Sequence, residues 1–114
     1  MIKNYKFNYD NDKAIVRFIV DTEKFTEEHA KETLDFFTLD YDEDNDIIDE
    51  VMKYYAFEVI KLSSNDIFNR NVKHVINEFK GLEGYCNIDG SRGIELVEIT
   101  PHNFDIYLLE VEIN

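Results

Sequence analysis

The chain has one cysteine, Cys86, so no intramolecular disulfide can form. No second Cys or neighbouring His completes a zinc or thiol-redox motif around it. Such a chain has no need of an oxidising compartment, and a reducing cytoplasm is the expected location. Proline occurs once and glycine four times. All four glycines fall in "GLEGYCNIDGSRG", so there is no Pro- or Gly-rich linker to divide the chain. No apolar run approaches the ~18 residues of a membrane span. The opening "MIKNYKFNYD" lacks the apolar stretch of a signal peptide.

Basic residues are scarce: 12 stand against 25 acidic ones, for a net charge of −13. Direct binding to a nucleic-acid backbone is therefore disfavoured, because phosphate contacts need Lys and Arg. An anionic membrane surface is disfavoured for the same reason. A basic protein partner is compatible with this charge, and so is a surface that only resists aggregation.

What is present suits a single domain spanning residues 1–114. Nine Phe and seven Tyr contribute to a hydrophobic fraction of 44%, enough to build a core. Tyr5, Phe7 and Tyr9 alternate with polar residues, and "AIVRFIV" follows a turn-forming "DNDK". The pair reads as an antiparallel hairpin. Thr26 is placed to N-cap a helix, with Glu27 and Glu28 in its first turn and Phe25 able to staple onto Ala30. Ala30, Thr33, Leu34 and Phe37 share one face of that helix.

Ile47, Ile48, Val51, Met52, Tyr55, Val59 and Leu62 follow helical spacing in a second segment. "LSSND" interrupts it with residues that favour caps and turns. A third helix fits Phe68, Val72, Val75, Ile76 and Phe79, with Gly81 at its C′ position. Whether the second and third helices are continuous is left open. Residues 94–100 and 103–113 read as two closing strands around the turn "PHN". The order ββ-αα(α)-ββ predicts an α+β domain. Its antiparallel sheet has about four strands, with two or three helices on one face.

The acidity is concentrated. "LDYDEDNDIIDE", residues 39–50, holds seven acids and no base. Asp40, Asp42, Asp44 and Asp46 match the first alternating ligand positions of an EF-hand loop. The twelfth position, which needs a bidentate Glu, is Val51, a residue the apolar face of the next helix claims. High-affinity calcium binding is not expected. The alternatives are an acidic loop in which Asp44 or Asp46 caps the next helix, and an interaction surface. On the last expected strand Glu110 and Glu112 share a face, and Glu98 projects from the strand beside it. With Asp40, Asp42, Glu43, Asp44 and Asp46 these acids define the expected partner-binding surface, a broad one able to imitate the charge of DNA.

Enzyme chemistry finds little support. His29, His74 and His102 are far apart in sequence. The glycine cluster follows a helix and precedes a strand, the reverse of a phosphate-cradling loop. A Cys86–His102 pair brought together in space is the one arrangement that would suggest a hydrolase or transferase. No catalytic residue, cofactor or metal ligand is assigned.

Two stretches carry a resemblance: "YKFNYDNDKAIVRFIVDTEKFTEEHAKETLDFF" and "EGYCNIDGSRGIELVEI". They resemble an uncharacterised bacterial and prophage family, domain-of-unknown-function family 2528. The glycine-rich stretch is similar to that family's aromatic-then-"DGSxGI" loop, with Tyr85 where Trp is expected. The resemblance implies no activity, but it implies a context of phages and mobile elements. The expectation is a non-enzymatic acidic protein that blocks a basic, nucleic-acid-binding host protein, in the manner of an anti-CRISPR inhibitor. Alternatives are a weak divalent-cation-binding module and a housekeeping domain with a structural role. An exposed outer strand would permit a homodimer.

Overall fold

The computed structural model describes residues 1–9, 14–65 and 71–100. Strands β1 (Ile2–Tyr9) and β2 (Ala14–Asp21) pair antiparallel. Helices α1 (Glu27–Phe37), α2 (Ile47–Asn65) and α3 (Val72–Phe79) follow, and β3 (Ile94–Thr100) returns to pair antiparallel with β2. The sheet order is β1-β2-β3. The described residues thus form a three-stranded sheet, not one of about four strands, in the order β-β-α-α-α-β. The strand expected over residues 103–113, its turn and His102 lie outside the described residues.

Alternation builds the sheet's two faces. Val16, Phe18 and Val20 of β2 are buried, as are Ile94 and Leu96 of β3. They meet Leu34 of α1, Val51, Met52, Tyr55 and Val59 of α2, and Val75 and Phe79 of α3 in one core. Tyr55 lies at its centre, in ring contact with Phe25, Phe79 and Tyr85. Its hydroxyl accepts a hydrogen bond from the Cys86 amide at 3.0 Å, so burial leaves no orphaned polar atom there.

The helix ends show where local chemistry decides. Thr26 caps α1 as expected, but its partner at the third position is His29: the Thr26 hydroxyl accepts from the His29 amide, and His29 Nδ1 accepts from the Thr26 amide at 3.2 Å. At the other end Leu39 N–H reaches Leu34 C=O at 2.9 Å and Thr38 N–H reaches Asp35 C=O at 3.2 Å. This six-residue closure puts Thr38 in the left-handed region, at φ 53°. A β-branched residue costs about 1–2 kcal/mol there that glycine does not, partly offset by glycine's greater chain entropy. Thr38 is exposed, so little else depends on it. Thr38→Gly is expected to raise the unfolding free energy by about 0.5–1 kcal/mol, read by urea denaturation.

Two sequence expectations are corrected. The "LSSN" part of the supposed interruption is helical, because the Ser63 hydroxyl donates back to Ile60 C=O at 3.0 Å instead of capping a new helix. Gly81 is not a left-handed C′ residue. Lys80 ends α3 in a helical conformation, and the Gly81 amide closes on Glu78 C=O at 3.1 Å. The third helix begins at Val72, N-capped by Asn71; Phe68 lies outside the described residues.

Candidate functional site

The acidic loop between α1 and α2 is held from both sides. Leu39 and Tyr41 are half-buried against the core, while Asp40 and Asp42 between and after them are exposed. The Tyr54 hydroxyl donates to the Asp40 carbonyl. Asp42 accepts the Asp44 amide at 2.9 Å, and its carbonyl accepts the Asn45 amide at 3.1 Å, which fixes a tight Asx turn. Asp46 Oδ1 accepts the Ile48 amide at 2.8 Å and so caps α2.

Glu50 locks this arrangement. It is 5% exposed and accepts from the Asp42 amide at 3.1 Å, Asn45 Nδ2 at 3.1 Å and Lys53 Nζ at 2.7 Å. The Lys53 ammonium and the Asp42 amide hold its carboxyl below the usual range. The next residue back, Asp49, accepts from Lys3 Nζ at 2.8 Å and from the Tyr5 hydroxyl. Partial burial alone would raise the Asp49 carboxyl, but those two hydrogen bonds outweigh it and the net shift is downward. Lys3 also stands 3.5 Å from Asp46. The loop is therefore not uncompensated, as its composition suggested. Lys3 and Lys53 neutralise its helical end.

A glutamine at position 50 keeps the shape of Glu50 but turns one acceptor oxygen into a donor facing other donors. Glu50→Gln is expected to cost about 1–2 kcal/mol at neutral pH. Because the folded carboxyl titrates lower than the unfolded one, its contribution is complete above the unfolded value and disappears as pH falls through the folded value. The gap between the two proteins should thus begin to narrow near the ordinary glutamate value, at about pH 4, and vanish only below the lower folded value. Urea unfolding at several pH values reads this directly.

Asp40, Asp42, Glu43, Asp44 and Asp46 are brought together and exposed. Of these, Asp40, Glu43 and Asp44 form no ion pair or side-chain hydrogen bond among the described residues, while Asp42 and Asp46 are engaged by the loop itself. Glu98 does not join them. It lies opposite Arg17 on the outer face of the sheet, 3.5 Å from its Nε, whereas Lys3 and Asp49 meet on the helix-covered face at the other edge. Glu110 and Glu112 lie outside the described residues. Val51 at the twelfth loop position is fully buried, and among the described residues no group of three or more His, Cys, Asp or Glu converges to hold a metal.

Sequence reasoning missed Glu50, Asp49, Lys3 and Tyr5. One signal was there: Lys3 is in phase with Tyr5 and Phe7, and a cation on the covered face of a strand needs an anionic partner. Cys86 is occupied with Tyr55, whose hydroxyl lies 3.4 Å from its sulfur, and burial pushes its thiol up, away from the reactive thiolate. His29 is part of the α1 cap and His74 is exposed on α3.

Among the described residues no helix is long and apolar enough to cross a membrane. Comparison with curated proteins and with solved structures returned no match. A family model, described as a protein of unknown function (DUF2528), matches residues 15–111, from β2 through β3 and beyond. The match takes in α1, α2 and α3, the acidic loop and the glycine-rich loop, and the chain belongs to this family.

Proposed function

We propose that the protein is a non-enzymatic binding protein that docks a basic partner through the loop bearing Asp40, Asp42, Glu43 and Asp44. The observation that carries this reading is preorganisation. Glu50, the Asx turn and the Asp46 cap fix the loop backbone before any partner arrives. A flexible acidic loop would lose that ordering entropy on binding. Exposed carboxylates that form no salt bridge among the described residues also attract a basic groove over distance and speed its encounter.

Nucleic-acid-binding proteins are the basic partners richest in clustered Lys and Arg, so the partner is sought among them first. Inhibition of a CRISPR-type effector by a phage-borne protein is the narrowest form of this reading. Cation binding is the weaker alternative, since Asp42 and Asp46 turn their oxygens to backbone amides and Val51 offers none.

An arginine-rich peptide titrated into the labelled protein tests the docking face by amide chemical shifts. Saturable shifts confined to residues 40–46 are expected, as is their loss at about 0.5 M salt, where screening reaches only a few ångströms. Shifts centred elsewhere, on Glu95 and Glu98 for example, would move the site off this loop.

A further inference from the structure

Away from the acidic loop, a cavity of about 490 Å³ opens between α1, with the turn before it, and the glycine-rich loop. Its volume is in the range of small-molecule sites. Phe36 and Tyr85 supply aromatic surface, Phe36 being 57% exposed, whereas Phe25 at the cavity's edge is 2% exposed. Gly84, at φ +90°, lets the loop run against α1. A Cβ on it would fall 2.5 Å from the rings of both Phe36 and Phe37.

The charge at this cavity is opposite to that of the molecule. Lys24 and Arg92 line it against a single carboxylate, Glu32, in a chain of net charge −13. Neither cation forms an ion pair or side-chain hydrogen bond among the described residues, although acids are twice as common as bases in the chain. Aromatic walls and unpaired cations together fit a planar apolar body carrying one negative group. Both walls belong to the stretches that carry the family resemblance, and both lie within the family match.

We infer that this cavity is a binding site for a small aromatic anion, of the aromatic carboxylate class, gripped by the rings of Phe36 and Tyr85 and oriented by Lys24 and Arg92. It is separate from the acidic loop and does not depend on the docking role proposed above.

Three probes of one shape test it on the full chain: 1-naphthoate, neutral 1-naphthalenemethanol and cationic 1-naphthylmethylammonium. Amide shifts in a labelled sample report both place and affinity. Naphthoate is expected to move Phe25, Phe36, Gly84 and Tyr85 saturably, with a Kd of about 1 mM or tighter for so small a ligand. The neutral probe should bind the same residues about fivefold more weakly, and the cation more weakly still. The exposed double variant Lys24→Gln, Arg92→Gln should lose the preference for naphthoate while keeping the neutral probe's affinity. Equal affinity for all three probes, shifts centred on other residues, or no saturation by about 10 mM would overturn the assignment.

Discussion

Gly93→Ala is expected to cost about 3 kcal/mol of unfolding free energy, a large part of what a domain of this size has. Gly93 is buried at φ +99°, where an L side chain is itself strained. A Cβ there would stand 2.6 Å from the Phe25 amide nitrogen and 3.0 Å from the Asp21 carbonyl oxygen. Both are backbone atoms, so neither can give way by a rotamer change. The Gly93 carbonyl also accepts the Asp21 amide at 2.7 Å, joining the exit of β2 to the entry of β3. Gly81→Ala provides the contrast. Its Cβ would meet only the Glu78 carbonyl, at 3.7 Å, and its backbone is not left-handed. That change is expected to be neutral or to stabilise by about 0.5 kcal/mol. Urea denaturation of the two variants separates a glycine the fold requires from one it merely tolerates.

The elements whose signal is local were legible. Period-2 alternation located β1 and β2, and the spacing of Val51, Met52, Tyr55 and Val59 located α2. What escaped depended on neighbours far along the chain or on one inserted residue. Glu50 sits one position before Val51, about 100° round the helix, where periodicity points outward. It is buried because loop 39–45 folds back over the first turn of α2, a closure that residue spacing does not encode. Glu98 illustrates the second cause. Strict alternation would put it beside Ile94 and Leu96 in the core. A bulge at Val97, between the pairs Phe18–Leu96 and Arg17–Glu98, turns it to the outer face instead. That one-residue irregularity leaves Glu98 exposed, as expected, but on the face away from the helices, across from Arg17.

The candidate site was half legible for the same reasons. Its acids were visible as a run, and Asp46 as a helix cap is one of the two caps the sequence offered. The rigidity of the loop was not visible, because it comes from Tyr54 reaching Asp40 and from Glu50 reaching Asp42 and Asn45. Compensation at the helical end was not visible either, since Lys3 lies 46 residues from Asp49 in sequence.

The second large effect concerns binding. Asp40→Asn, Asp42→Asn, Glu43→Gln and Asp44→Asn together remove four negative charges and keep the side-chain shapes. The Asn at 42 can still accept the Asp44 amide, so the Asx turn survives. Exposed charge pairs are worth about 0.2–1 kcal/mol each, so losing four is expected to lower partner affinity at low salt by roughly 4- to 800-fold. Stability should stay within about 0.5 kcal/mol, because none of the four is buried. Glu50→Gln, in contrast, should act first on stability. A binding loss without a stability loss would identify the loop as a surface and not as structural support.

The most direct measurement sets wild type beside the four-amide variant. Each protein, immobilised, is exposed to a bacterial lysate at about 50 mM and about 500 mM salt, on either side of effective charge screening. Docking through the loop predicts basic, nucleic-acid-binding proteins retained by the wild type at low salt, released at high salt, and absent from the variant. Equal retention by both proteins, or no basic protein retained by the wild type at low salt, would contradict it.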